Sequence, residues 1–162
     1  MAETHAESAE PIHFGGATLA RHRHVCAFFH TCDEEYRVLL PFIREGFDRA
    51  DRAFHIVDSK LREDYLERLR SADINVTEAQ QTGQLKVLNW EDAYLRDRHF
   101  DQYRMLALVE QALGNDKPRA FGLTRMVGQM EWALEALPGV IDLLEYEARL
   151  NHILPRYPDP VI

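Results

Sequence analysis

A chain of 162 residues suits one domain, and a hydrophobic share of 46% beside 28% charged residues is typical of a soluble globular protein. The net charge of −8, with 19 basic residues scattered among 27 acidic ones, disfavours direct nucleic-acid binding, which needs clustered Lys and Arg. No run approaches the roughly 18 apolar residues of a membrane span, and the N-terminus lacks the pattern of a secretory signal. Since two cysteines are too few for a disulfide framework, we expect a cytoplasmic protein.

Short apolar runs, predicted as strands, alternate along the chain with segments whose apolar residues follow helical spacing. In chain order, the first half of the sequence predicts a flexible tail (residues 1–20), a strand (His24–Phe29), a helix from Asp33, a strand (Ala53–Val57), a helix through Leu69 and a short strand (Ile74–Val76). The second half predicts a strand (Leu85–Leu88), a short helix at Tyr94-Leu95, a helix from Asp101 to Gly114, a strand (Ala120–Thr124) and two helices (Val127–Leu137 and Val140–Leu154). Pro41 is expected to bend or interrupt the first helix. This alternation predicts a three-layer α/β/α sandwich with a mostly parallel sheet.

Ligands of open parallel sheets bind beyond the carboxyl ends of the strands. The residues that follow or close the predicted strands are polar or aromatic, and we take four of them as ligand-binding candidates: His30, Asp58, Trp90 and Arg125. A mixed polar and aromatic rim of this kind suits a small molecule.

The segment after the first predicted strand argues against a nucleotide site. It reads His30-Thr31-Cys32-Asp33-Glu34-Glu35, with no glycine or lysine to cradle phosphates, so we expect no nucleotide. None of the serines lies in a GxSxG elbow. An enzyme is therefore the weakest of the function classes considered.

The densest group of possible metal ligands is His22, His24, Cys26, His30 and Cys32. Strand alternation would place His24 and Cys26 on one face, where imidazole and thiolate could hold a transition metal or a haem iron. The spacing matches no standard zinc framework, and a buried small cysteine with incidental histidine neighbours is the alternative.

Several segments, in this order, resemble the MEDS domain, the methanogen/methylotroph sensory domain. They are His24–Phe29, Leu40–Phe47, Gly83-Gln84-Leu85, Tyr94-Leu95 to Phe100-Asp101, Arg125–Trp132 and Glu145–Asn151. The resemblance divides the chain into a tail (1–20), a sensory domain (21–154) and a terminal segment (155–162) that begins a further strand or a linker.

The resemblance implies a RecA-like core that lacks the phosphate loop, and the sensing of small organic molecules. The His-x-Cys pair proposed as functional in the family corresponds to His24 and Cys26. Gln129 stands where the family is expected to carry Glu in a Gly-Glu-Met-x-Trp stretch, and we include it among the ligand-binding residues.

The leading hypothesis is a non-catalytic sensory domain that binds a small ligand and signals to a partner domain or subunit. The alternatives are an ATPase-like interaction scaffold without a ligand, and a metal- or haem-based sensor that uses His24 and Cys26. Phe28, Phe29, Trp132 and Tyr146 exceed what a small core needs, which predicts a homodimer.

Overall fold

The computed structural model describes residues 11–20, 23–114 and 120–162, and its elements alternate between strand and helix. In chain order they are β1 (Ile12–Phe14), β2 (Ala17–Leu19), α1 (Cys32–Asp48), β3 (Arg52–Val57), α2 (Arg62–Ser71), α3 (Val76–Thr82), β4 (Leu85–Asn89), α4 (Gln102–Leu113), β5 (Thr124–Gly128) and α5 (Leu143–Ile153). Among these described residues, no helix has the length and apolar character of a membrane span.

The central sheet has the strand order β4-β3-β5, and both of its pairings are parallel. Val161 extends this sheet beyond β5, because it forms parallel bridges with Met126 on one side and with His24 on the other. His24 and the C-terminal Val161 are thereby held side by side at this edge of the sheet.

Alternate residues of β3 point to opposite faces of the sheet and supply two separate cores. Phe54 and Ile56 pack with α4 and α5 on one face, whereas Ala53 and Val57 pack with α1, α2 and α3 on the other. The protein is therefore a mixed α/β fold with a parallel sheet between helices, as predicted. The RecA-like character of the core stays a prediction.

Local sequence accounts for the helix boundaries. Thr31 caps α1, since its Oγ1 accepts the N–H of Glu34 at 3.1 Å, and acidic residues fill the first turn, where they complement the helix dipole. Asp101 caps α4 in the same way through the N–H groups of Tyr103 and Arg104. The expected interruption at Pro41 is wrong, because α1 runs through it as one continuous helix.

The strand predicted at His24–Phe29 is wrong. Residues 25–29 have no regular structure, and only His24 forms a bridge, to Val161. The strand predicted at Ile74–Val76 is also wrong, because Asn75 caps α3 with a side chain that accepts the N–H of Glu78 at 3.2 Å.

The strand predicted at Ala120–Thr124 lies four residues too early, since β5 occupies Thr124–Gly128. The helix predicted at Val127–Leu137 is consequently wrong. Its first residues belong to β5, and a 3₁₀ turn at Glu131–Leu134 follows. The pattern of apolar residues gave the wrong bounds for this strand because β5 contains Arg125, a charged residue that sequence reasoning assigns to a loop.

A hairpin covers part of the segment expected as a tail. β1 and β2 pair antiparallel around Gly15 and Gly16, both of which have positive φ, and Ile12 is fully buried beside α1. Residues 1–10 and His22 lie outside the described residues. The division into tail, sensory domain and terminal segment stays a prediction.

Arg125 is buried in the core, with 1% of its surface exposed, yet opposite charges match its own. Its Nε donates to Asp51 Oδ2 at 2.8 Å, and its Nη1 donates to Glu45 Oε2 at 3.0 Å and to the carbonyl oxygen of Phe42 at 2.8 Å. The guanidinium passes so close to Gly46 that a Cβ there would lie 2.6 Å from Arg125 Cδ. Glycine is therefore required where the arginine meets α1.

We expect Arg125→Met to lower the free energy of unfolding by about 3–5 kcal/mol, because it leaves the carboxylates of Asp51 and Glu45 without their buried cation. Arg44→Met is the matched control, since Arg44 is exposed and pairs with an exposed Asp73, and it should cost less than about 1 kcal/mol. Urea unfolding of both variants measures the difference. Equal losses would contradict a structural role for the buried ion pairs.

His55 lies in the middle of β3 without any exposed surface. Burial lowers the pKa of its imidazole to about 3, so the ring is neutral in the folded protein. Its Nδ1 forms a hydrogen bond with the hydroxyl of Tyr65, and its Nε2 has no partner within the described part of the chain. The unfolded chain binds a proton on this imidazole near its ordinary pKa, whereas the folded protein does not.

Because only the unfolded state protonates His55 between about pH 6.5 and the folded-state pKa, stability should fall as the pH drops through this window, by about 1.4 kcal/mol per unit. His55→Phe should remove this part of the slope between pH 7 and pH 5. His152→Phe, at an exposed position, should leave it unchanged. Chemical unfolding at several pH values gives the slopes, and an unaltered slope in His55→Phe would count against the neutral buried ring.

Candidate functional site

The carboxyl ends of the three parallel strands meet at one edge of the sheet. Val57 pairs with Asn89, and Ile56 pairs with Gly128, so the strands end nearly level. The residues that follow β3, β4 and β5 directly are Asp58, Trp90 and Gln129. Of the predicted site residues, these three are brought together.

Gln129 connects the three strand ends by hydrogen bonds. Its backbone oxygen accepts the indole Nε1–H of Trp90 at 2.8 Å, and its side-chain Oε1 accepts the backbone N–H of Asp58 at 3.4 Å. Its side-chain Nε2 donates to Glu35 Oε1 at 2.7 Å. We call Glu35, Asp58, Trp90 and Gln129 the Gln129 cluster.

Glu35 comes from the first turn of α1 and is the residue of the cluster that sequence reasoning missed. Its residue exposure is 6%, and burial raises the pKa of its carboxyl, while the hydrogen bond from Gln129 opposes that rise. A signal was present in the sequence, because Glu35 shares helical spacing with the buried Leu39 and Phe42. The acidic run was interpreted only as a complement to the helix dipole.

One oxygen of this carboxylate is left without a partner. Glu35 Oε1 accepts from Gln129, but among the described residues nothing hydrogen-bonds to Oε2, and this atom is not one of the fully enclosed polar atoms that lack a partner. The cluster therefore presents an acceptor oxygen without a hydrogen-bond partner at the carboxyl edge of the sheet.

Acidic groups dominate the surroundings of the cluster. Glu131 follows β5 and raises the pKa of Glu35 further, and Glu91 accepts the hydroxyl of Ser59 at 2.8 Å. Arg68, the nearest cation that affects Glu35, stacks on Tyr36 and bonds to Asp33 and Asp64.

His24 and Cys26 do not share a face as predicted from strand alternation, because no strand forms there. His24 Nδ1 lies 3.0 Å from Asn151 Oδ1 and its Nε2 lies 3.4 Å from Glu147 Oε2, both on α5, whereas Cys26 is exposed. Burial raises the pKa of Glu147, and the nearby His24 opposes the rise. Within the described ranges, no three His, Cys, Asp or Glu side chains converge to hold a metal ion.

His30 and Arg125, the other two predicted residues, have separate environments. His30 is exposed and contacts Glu34 in the first turn of α1. Arg125 lies in the amino-terminal half of β5, with its ion pairs at the opposite end of the sheet from Gln129. Because the strand was predicted four residues too early, Arg125 was expected at the carboxyl edge.

A half-open cavity of about 260 Å³ lies away from this edge. Its lining includes Arg44, Asp48, Asn75, Glu78 and Gln84. Because Gln84 directly precedes β4, the cavity is at the amino end of that strand. Its lining mixes exposed charges and holds none of the predicted site residues.

Comparison with known proteins identifies the family. The model of the MEDS family, the methanogen/methylotroph, DcmR sensory domain, matches residues 23–161. The chain is 28% identical over 150 residues to the transcriptional repressor DcmR of Methylorubrum extorquens, an alignment that covers 91% of this chain and 53% of that protein. The chain thus spans about half the length of this relative. No solved structure matches. With a family model that matches most of its length and the parallel α/β fold described above, this chain belongs to the MEDS family of sensory domains.

Proposed function

We propose that the chain is a sensory domain that binds a small molecule at the Gln129 cluster and signals its occupancy to a partner domain or subunit. A sensory or regulatory role follows from the family and from a relative that is a transcriptional repressor. That relative is about twice as long as the aligned region, which leaves room for an output domain in a protein of that kind.

The observation that carries the proposal is the half-satisfied carboxylate of Glu35 at the carboxyl edge. A buried carboxylate is costly unless hydrogen bonds or an opposite charge compensate it. Here it bonds to the residue that follows β5, at the carboxyl edge of the sheet, which is the common ligand position in parallel α/β folds. The lining of the cavity at the amino end of β4 includes no buried charged group.

The hydrogen bonds of the cluster suggest how occupancy could be transmitted. Gln129 joins the end of β5 to the first turn of α1 through Glu35, and α1 follows directly on the irregular segment 25–31. A ligand that binds the other oxygen of Glu35 moves this carboxylate, and with it the start of α1, relative to the sheet. Ligand and partner are then coupled because each favours one position of the helix.

We propose no catalytic role, because the phosphate loop and the nucleophile elbow are missing from the sequence. His24 and Cys26 stay predictions as ligand-binding or metal-binding residues. Both ring nitrogens of His24 already face acceptors on α5, which favours a role in attaching the N-terminal segment. The predicted homodimer loses part of its basis, since Trp132 and Tyr146 are buried in the core of this subunit.

A ligand-free interaction scaffold is the second candidate function. It is favoured by exposed aliphatic side chains around the start of α5, where Leu134, Ile141 and Leu144 are 84–91% exposed. Exposed apolar surface of this kind often marks a contact surface. The same surface is compatible with the output side of a sensor, so the two candidates differ in whether a ligand binds.

Native mass spectrometry of freshly purified protein should detect a co-purifying small molecule. Gln129→Ala should lower its retention about tenfold or more, because the variant removes the amide that orients Glu35. Arg44→Ala, in the lining of the other cavity, is the matched control and should retain the molecule. Cys26→Ala, at an exposed position, tests the family's His-x-Cys pair in the same series.

Thermal melting of each variant separates lost binding from lost folding. Retention by Gln129→Ala together with loss from Arg44→Ala would assign the ligand to the amino-end cavity. A wild-type protein that never carries a molecule, from any expression condition, would favour the scaffold.

A further inference from the structure

We propose that the molecule recognised at the Gln129 cluster is a small protonated amine, held by the free oxygen of Glu35. The inference rests on the proposed function and adds the chemical class of the ligand. It follows from the hydrogen-bonding capacity of the cluster, from the charges around it and from its burial.

Glu35 can still accept hydrogen bonds from a donor group. An ionised carboxylate offers about four acceptor positions, and the described residues supply one hydrogen bond, from Gln129 Nε2 to Oε1. An ammonium group carries three N–H donors and the opposite charge, so it both fills these positions and neutralises the buried carboxylate. A neutral alcohol could donate one hydrogen bond but would bring no charge to offset the burial that raises the pKa of Glu35.

Two guanidinium groups near this edge have hydrogen-bond partners other than Glu35. Arg68 bonds to Asp64 at 2.9 Å and to Asp33 at 3.2 Å. Arg62 donates from Nη1 to the carbonyl oxygen of Val87 at 3.0 Å and to Asn89 Oδ1 at 3.1 Å. The charge of Arg68 favours the ionised form of Glu35, but neither guanidinium donates a hydrogen bond to it, so a cationic donor can still bind there.

The local charge disfavours an anionic ligand. Glu131 acts on Glu35 as a like charge, and Asp58 and Glu91 follow the neighbouring strands at the same edge. A carboxylate or phosphate at the cluster would face these groups, and the guanidinium groups of Arg62 and Arg68 already have partners. Electrostatic complementarity of this kind governs which ligands a site accepts.

The burial of the cluster favours a small ligand. Glu35 and Gln129 are 6% and 9% exposed, and Trp90 is 9% exposed. A compact ammonium with a short alkyl group would displace little of the surrounding structure. A large or multiply charged amine would require the first turn of α1 to move further.

Nuclear magnetic resonance titration tests the inference with a defined probe, ethylammonium chloride. The reporters are the indole N–H of Trp90 and the side-chain amide of Gln129, both of which lie in the cluster. The indole of Trp132, buried in the aromatic core beside Tyr94 and Phe100, is an internal reference. We expect saturable shifts at Trp90 and Gln129 and none at Trp132.

Ethanol with sodium chloride at equal ionic strength, and sodium acetate, are the neutral and anionic controls on the wild-type protein. Glu35→Gln should weaken ethylammonium binding about tenfold or more, since it keeps an acceptor for Gln129 but removes the charge. Asp33→Asn changes an exposed acid in the same helical turn and should leave binding unchanged.

Saturable shifts with ethanol or acetate of the same size, no saturable shift with ethylammonium, or undiminished binding in Glu35→Gln would each overturn the proposal. Failure of the proposed function gives a different result, namely a co-purifying molecule that Gln129→Ala retains, or no such molecule. If a co-purifying molecule proves neutral or anionic but is still lost from Gln129→Ala, the site stands and only the ligand class is wrong.

Discussion

The burial of Arg125 is the constraint on which the arrangement of this protein depends. A guanidinium in the core is tolerated only where carboxylates and carbonyl groups surround it, and Asp51, Glu45 and the carbonyl of Phe42 do so. Partial burial alone would favour the protonated form of Glu45, but hydrogen bonds from His13 and Arg125 hold its pKa at about 2. The ion-pair network around Arg125 therefore joins α1, the hairpin and the sheet at the same point.

A second polar contact fixes the other end of α1. The distance between the two contacts is similar along the helix and along the strand. From Glu35 to Glu45 the helix rises about 15 Å, and from Arg125 to Gln129 the strand rises about 13 Å. Glu45 meets Arg125, and Glu35 meets Gln129, so α1 is attached to β5 at both ends. The contact at Arg125 is a charged network, whereas the contact at Gln129 is one amide hydrogen bond. A ligand at Glu35 would displace the weaker end while the stronger end stays in place, which would move segment 25–31, where Phe28 is 89% exposed.

Sequence predicts the fold well where local pattern and tertiary environment agree. Ala53–Val57 and Leu85–Leu88 are short apolar runs at the centre of the sheet, and both are strands. Prediction fails at β5 because the burial of Arg125 depends on Asp51 and Glu45, which lie far away along the chain. The rule for parallel sheets identified Asp58 and Trp90 at the carboxyl edge, and the family resemblance added Gln129. Glu35 was missed because a carboxylate in a first helical turn already has a local explanation, which outweighed the helical spacing that it shares with Leu39 and Phe42.

The most direct test of a ligand site at the Gln129 cluster is a crystal structure of the protein with its co-purified molecule. We expect electron density at the carboxyl edge of the sheet, with a donor of the molecule within hydrogen-bond distance of Glu35 Oε2. We also expect the start of α1 to be displaced relative to the ligand-free protein. Density in the cavity between Arg44 and Asn75, with the hydrogen bond between Gln129 and Glu35 intact, would contradict it.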